Sequence, residues 1–418
     1  MIELDQLSKS FTQKDGALVR AVDKVSLAVP RGEICVFLGP SGCGKTTTLK
    51  MINRLIPPTS GHVRIDGEDT AGIDGVELRR KIGYVIQQIG LFPNMTIEQN
   101  ITVVPRLLGW DKRRCRERAR ELMSMVQLDP DRMLTRYPRE LSGGQQQRIG
   151  VIRALAADAP VLLMDEPFGA VDPINRESIQ NEFLQMQRQL GKTVIMVSHD
   201  IDEAIKLADK VAVFRAGKLV QFAHPDTLLA QPADEFVQAF VGHDNTLKRL
   251  LLVRAGDAAT LGAHAGPDTP LSQALAMMDD ADMRYLPVLD RGQRALGYVA
   301  RRDARNPAAG QQVCADALRP FPATASFDEH LRIVLSRMYQ HNTSWLPVVD
   351  ADGVYLGEVT QESIAGYLSS GRSRSAAPAA VTAPVRAAQP ATATGTSAGA
   401  GRDRAPGKAA GLAEAKAA

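Results

Sequence analysis

The chain has 418 residues, 44% apolar and 23% charged, ordinary proportions for a folded protein and enough length for two or three domains at roughly 150 residues each. Its net charge of +3 is uneven: the last 48 residues carry seven Lys or Arg against Asp403 and Glu414, so the remainder is slightly acidic and argues against a nucleic-acid binder with a basic face. Cys35, Cys43, Cys115 and Cys314 are scattered without a CxxC pair, no run approaches roughly 18 apolar residues, and MIELDQLSKSF lacks the apolar core of a signal peptide. A zinc cluster, a disulfide framework and a membrane span are therefore not expected, and a reducing cytosol is the expected compartment.

Strand-like runs at 25–29 and 33–38 open the chain, and the second leads directly into Gly39-Pro-Ser-Gly-Cys-Gly-Lys45-Thr46, after which 46–55 reads as a helix. Strand, glycine loop, helix is the setting in which this spacing becomes a phosphate loop. Its glycines let backbone N–H groups approach phosphate oxygens where a Cβ would collide, Lys45 reaches the β and γ phosphates, and the Thr46 hydroxyl takes Mg2+. Further β-rich runs at 81–86, 161–164, 193–197 and 210–214 alternate with helical patterns, which predicts a layered α/β fold. Between Gln88 and Gly150 the strand signal disappears and a charged, periodic run at 112–126 predicts a helical insertion, which ends where Pro138 precedes a Ser142-Gly143-Gly144 turn.

The apolar run 161–164 delivers Asp165 and Glu166 at a strand end, where α/β sheets hold ligands. One acid suits Mg2+ through water and the other, Glu166, suits an attacking water, since magnesium takes few carboxylates. Seen alone, such a pair reads as a helix cap; the phosphate loop decides otherwise. His199 and Gln87 each follow a predicted strand that should neighbour Asp165, which makes both candidates for sensing the γ-phosphate.

Beyond about Gly242 an internal repeat appears. Residues 285–303 align with 345–363 at an offset of 60, bringing together Leu286/Leu346, Pro287/Pro347, Val288/Val348, Asp290/Asp350 and Gly297/Gly357. Amphipathic patterns at 271–278 and 330–339 precede the copies, so each unit reads as helix, strand, turn, strand, helix, and two units can cover each other's apolar faces. From Ser369 the chain is Ala, Pro, Thr and Gly with scattered basic residues, a composition for a disordered tail.

In combination, Gly39–Thr46, Leu141–Arg148 (LSGGQQQR) and Val161–Pro167 (VLLMDEP) resemble the ATP-binding subunits of ABC transporters, over residues 1–242. The resemblance implies a P-loop ABC ATPase domain, a RecA-like core with a helical subdomain at about 88–150. It implies that Phe11 stacks on adenine and that Gly39, Pro40, Ser41, Gly42, Cys43, Gly44, Lys45, Thr46 and Thr47 hold ATP. Thr46, Gln87 and Asp165 would hold Mg2+, and Glu166, His199 and Gln87 would be catalytic. Ser142, Gly143, Gly144 and Gln145 would contact the γ-phosphate bound to the opposite subunit, with Asp172 in the loop linking both sites. Phe11 stands where tyrosine is commoner and Val171 where leucine is.

Residues 85–101 and 145–173 resemble the importer branch that takes up quaternary amines such as glycine betaine, choline, carnitine or proline betaine, and the repeat resembles a tandem pair of cystathionine-β-synthase-type (CBS) domains, 250–311 and 312–368, followed by the tail 369–418. The expected partners are a second copy, an integral-membrane permease and an extracytoplasmic solute-binding protein, with no nucleic acid. The expected location is peripheral, at the cytoplasmic face of the cell membrane. Nucleotide-binding CBS domains carry Gly, Thr and Asp, whereas the first copy has Gly297, Ala300 and Asp303 and the second Gly357, Thr360 and Ser363. Ionic-strength sensing, cyclic-dinucleotide binding and a structural dimerisation role stay open. Two rival readings are a soluble ABC ATPase of repair or translation and a sensor built mainly on the CBS pair. Translation-type members usually carry two ATPase domains and repair-type members coiled coils or zinc modules, and this chain has neither.

Overall fold

Continuous apolar runs, rather than alternating ones, are what a strand buried on both faces requires, and Ile34–Leu38, Val161–Asp165 and Thr193–Val197 are buried along their whole length. The computed structural model describes residues 1–87, 90–169, 171–242, 244–305 and 312–370. Apart from Ser369 and Ser370, the predicted tail therefore lies outside the described residues. The central sheet has six strands in the order Lys218–Ala223, Lys210–Arg215, Ile34–Leu38, Thr193–Val197, Val161–Asp165, Ile82–Val85. Neighbours run parallel except the first pair. Successive residues feed opposite cores: Ile34, Val36, Leu38, Met164 and Met196 point to one, Cys35, Phe37, Leu163 and Ile195 to the other. All four cysteines are buried free thiols.

The second core is closed by an antiparallel sheet, Leu18–Val29, Ile2–Thr12, Ser60–Ile65, Glu68–Asp69. Only part of this sheet was expected from the sequence. Ile2–Thr12 hides its period because Gln6 takes a positive φ of 48° at a bulge, which breaks the alternation between Leu4 and Leu7. The first core is closed by helices Ile97–Leu107, Lys112–Met125 and Gly143–Leu155, the predicted helical insertion. Ser142-Gly143-Gly144 is the start of the last of these helices rather than a separate turn. Ser142 is its N-cap, its hydroxyl accepting from Gln145 N while Gln145 Oε1 accepts from Ser142 N.

The repeat folds as two similar units that exchange their flanking segments. Leu250, Val253, Ala255 and Ala258, which precede the first copy, pack in the core of the second with Leu331, Val334 and Leu346, whereas Cys314 packs with Leu271, Leu286 and Val299 of the first. Thr260 bridges Glu358 and Arg319 bridges Tyr298 in the same antiparallel manner. This crossing explains the paired glycines: a Cβ on Gly297 would sit 2.4 Å from the Arg319 carbonyl oxygen, and one on Gly357 2.8 Å from that of Thr260. Tyr285 stacks on Trp345 at 3.8 Å between ring centroids where the copies meet.

Beside that stack lies Glu358, 7% exposed, with Oε2 lacking a hydrogen-bond partner among the described residues. Burial pushes its pKa up from 4.5 to about 7. The native chain thus holds this proton more tightly than the unfolded chain, so stability is fullest below about pH 4.5 and falls as pH rises through about 7. Glu358→Gln should therefore stabilise the repeat pair at about pH 8, by up to about 3 kcal/mol, and lose that advantage near the unfolded-state pKa. Thermal unfolding of the two chains at both ends of this range checks the sign.

Candidate functional site

The glycine loop is wedged between the two sheets. Gly39, Gly42 and Gly44 have φ of 146°, 78° and 105°. A Cβ on Gly39 would lie 2.3 Å from the Phe214 carbonyl oxygen and one on Gly44 2.5 Å from that of Ala21, so neither position admits a side chain. The helix Lys45–Ile52 that follows has no side-chain cap, which leaves its first N–H groups for a ligand. Lys45 is buried, and its Nζ donates to the carbonyls of Gly39 at 2.7 Å and Pro40 at 2.9 Å, inside the loop.

Two strand ends meet at the next residue. Thr46 Oγ1 donates to Asp165 Oδ1 at 2.9 Å, across 119 residues of sequence. Burial raises the Asp165 pKa, opposed by the Thr46 hydrogen bond and the charges of Lys50 and Lys45, while neighbouring Glu166 adds to the rise. Asp165 is thus a carboxylate that gains from a cation placed against it.

Glu166 leaves the strand with a positive φ of 46°, a left-handed turn that a non-glycine residue adopts at a cost of roughly 1 kcal/mol or more. Its N–H is anchored on the Val197 carbonyl at 3.1 Å. The turn aims its carboxylate at two other strand ends: Gln87 Nε2 donates to Glu166 Oε2 at 3.1 Å, and His199 Nδ1 lies 3.5 Å from the same oxygen. Of three residues singled out from separate stretches of sequence, two therefore converge on one atom of the third.

Other candidates stand apart. Ser142 and Gly143 are exposed, and among the described residues no hydrogen bond or ion pair joins 142–145 to the glycine loop. Phe11 is 41% exposed on the strand pair that abuts Gly44, with Lys9 Nζ 5.2 Å from its ring. Asp172 is exposed, its carbonyl accepting from Arg176 N at 2.9 Å.

Several supporting residues escaped sequence reasoning. Arg176 donates to the Val171 carbonyl at 3.1 Å and reaches to 3.7 Å from Asp200, tying the loop before Asp172 to the segment after His199. Glu203, its pKa raised by burial, accepts from Gln180 at 3.0 Å and from Ser198 Oγ, and so fixes the backbone beside His199. Asn100, fully buried, takes the N–H of Phe92 at 2.7 Å and donates to the carbonyls of Phe92, Met95 and Thr96. The one available signal was an Asp200-x-x-Glu203 helix start, which reads as a cap.

A glycine loop between a buried parallel strand and a helix, with an acidic pair at a nearby strand end, defines a P-loop nucleotide-binding protein. The comparisons narrow this. The sequence pattern of the ABC transporter family matches residues 22–169, and that of the CBS domain matches 263–307 and 314–370. The osmoprotectant import ATP-binding protein OsmV of Salmonella typhimurium is 66% identical over 90% of this chain and 98% of its own length. The glycine betaine/carnitine/choline transport ATP-binding protein OpuCA of Bacillus subtilis is 46% identical over 87% and 95%, and the glycine betaine/proline betaine transport system ATP-binding protein ProV of Escherichia coli 35% over 85% and 89%. Among solved structures, cbiO1 of Clostridium perfringens, part of the ABC transporter complex cbiONQ, has a TM-score of 0.50 at 24% identity over 60% of this chain and 98% of its own, a likeness of fold. The chain belongs to the ABC transporter family, as an ATPase subunit with a tandem CBS pair. ATP hydrolysis coupled to transport, rather than repair or translation, is its activity.

Gly39→Ala should lower ATP affinity by more than about tenfold, because the added methyl displaces either the loop or the strand bearing Phe214. Gly67→Ala, also at positive φ but in open space, should leave affinity unchanged. Titration with a fluorescent ATP analogue compares the two.

Proposed function

We propose that this chain energises uptake of quaternary-amine osmoprotectants, with glycine betaine, choline, carnitine and proline betaine as the solute class, through a membrane permease. Two copies meet head to tail, and each MgATP lies between the glycine loop of one and the Ser142 helix of the other. The observation that carries this reading is a division within one chain. Gln87, Glu166 and His199 gather beside the loop, while Ser142-Gly143 stays exposed, with no bond to the loop among the described residues. The capping box takes the N–H groups of Ser142 and Gln145; those of Gly143 and Gly144 remain to hold an anion, which in this reading a second copy supplies.

The geometry supports the following roles. Glu166 is the general base toward the attacking water: Gln87 and His199 both address Oε2, which leaves Oε1 to accept the proton. Lys45 leaves the loop carbonyls for the β and γ phosphates, and Phe11 offers its exposed ring to adenine. Thr46 Oγ1, Asp165 and the Gln87 amide oxygen are hard oxygen donors of the kind Mg2+ takes, and the ion when bound neutralises charge on the phosphates. Asp172 lies on the loop between the two sites.

Binding of ATP favours the closed pair because γ-phosphate bridges both copies, and hydrolysis removes the bridge, so nucleotide shifts a population between two states. The permease would rest on the stretch from Gln87 to Thr96, of which Gln88 and Ile89 lie outside the described residues; Phe92 and Met95 are exposed there on the loop that Asn100 pins. No described helix is long and apolar enough to cross a membrane. In this reading the subunit is peripheral, at the cytoplasmic face, and an extracytoplasmic binding protein supplies the solute. The ATPase domain takes 1–242 and the CBS domains 250–311 and 312–368, and the pair is regulatory. The polar side chains at the positions of a nucleotide-binding CBS motif, Asp303 and Thr360, which match it, and Ser363, which does not, are occupied internally. Asp303 takes a bidentate ion pair from Arg319 at 2.6 and 2.8 Å, and Thr360 and Ser363 cap the last helix on each other.

Ser142→Arg and Lys45→Ala chains should each be inactive alone, yet recover a part of wild-type turnover on mixing, because one of the two pockets of a mixed pair is then intact. No recovery would contradict a shared pocket. In vesicles containing the whole complex, turnover should rise with a quaternary amine and not with an unrelated solute.

A further inference from the structure

The short helix Asn245–Arg249 joins the ATPase to the repeat pair, and its two basic residues grip opposite sides. Arg249 and Asp226 form an ion pair at 2.7 Å with side chains only 3% and 4% exposed. The other arm of the same guanidinium donates to the Leu368 carbonyl at 2.7 Å, and the group stands 5.8 Å from the Tyr367 ring, on the last helix of the second copy. One residue therefore holds helix Pro225–Ala230 of the ATPase and helix Gln361–Ser369 of the pair. Directly after it, Leu250 and Val253 enter the second copy's core.

Lys248 faces the catalytic side. Its Nζ lies 3.4 Å from Asp202 and 3.2 Å from Asp244, and it donates to the Val241 carbonyl at 3.2 Å. Asp202 belongs to helix Ile201–Leu207, whose N-cap Asp200 follows His199 and faces Arg176, the residue that also holds the Val171 carbonyl. Helices 201–207 and 225–230 share one core through Ala204, Ile205, Leu228 and Leu229. A buried ion pair gives little stability over apolar residues of similar size, but breaking half of it is costly, so it enforces one geometry.

We infer that Lys248 and Arg249 are positioning residues for ATP hydrolysis: they fasten helix Gln361–Ser369 of the repeat pair to the segment that carries His199, so that a displacement of the pair moves His199 relative to Glu166. This rests on the assignment of His199 to the hydrolytic site.

The test uses the full-length chain. Arg249→Lys keeps the charge but cannot hold Asp226 and Leu368 together, and it should speed hydrogen exchange of amides 198–207 by about fivefold. Lys248→Met and Asp202→Asn should each lower kcat by about threefold with KM for ATP unchanged, and the double variant should be no slower than either single one. Wild-type exchange and wild-type kcat, or losses that multiply in the double variant, overturn the inference. If Arg249→Lys fails to fold, Lys248→Met, which leaves the buried pair intact, decides by both readouts. A His199→Ala chain of wild-type turnover would instead remove the assignment of His199, and exchange at 198–207 would still decide whether the linker controls that segment.

Discussion

In a parallel sheet every strand ends on the same side, and the ladder joining Ile34–Leu38, Thr193–Val197 and Val161–Asp165 turns that geometric fact into a pocket. The register sets Val161 beside Thr193 and Asp165 beside Val197, so the residues just past those ends, Glu166 and His199, emerge as neighbours. Ile82–Val85 pairs with Val161–Asp165 on the other flank and brings Gln87 in. The glycine loop leaves the same edge, and the Thr46 to Asp165 hydrogen bond closes it. A slip of one residue anywhere in this ladder would separate the groups and turn each buried side chain into the opposite core.

Local strain completes what the ladder begins. Glu166 adopts a backbone conformation unfavourable for its type and is held there by the Val197 carbonyl, and the reward is a carboxylate with one oxygen engaged and one open. The Ser142 helix is the complementary case: well capped by its own Gln145, exposed at its start and, among the described residues, without a bond to the loop of its own chain. A nucleotide loop with its acidic pair at one place and a capped helix start of the anion-binding kind apart from it are the physical basis for proposing a pair of chains.

Much of this was legible in the sequence because burial on both faces leaves an unbroken apolar run: 193–197 was read with the bounds the structure gives it, and Ile34–Leu38 and Val161–Asp165 differ from the reading by one residue. The convergence of Gln87, Glu166 and His199 was legible once each was placed at a strand end. Ile2–Thr12 was not, since a bulge at Gln6 hides its alternation, and Arg176 and Glu203 were not, since their partners lie in loops that carry no pattern. The repeat was visible at its offset, but the exchange of flanking segments was hidden. Its trace in sequence is the pair Gly297 and Gly357, where the structure shows each glycine clearing a path for crossing backbone. The pair thereby becomes a single body anchored through Arg249 to the ATPase.

The account stands on two chains completing each other's nucleotide pockets. Its most direct measurement is the solution mass of Glu166→Gln with MgATP, where the water is no longer activated and γ-phosphate persists. Twice the monomer mass, returning to the monomer with MgADP, is the predicted result; a monomer in both nucleotides, with ATP demonstrably bound, would contradict it.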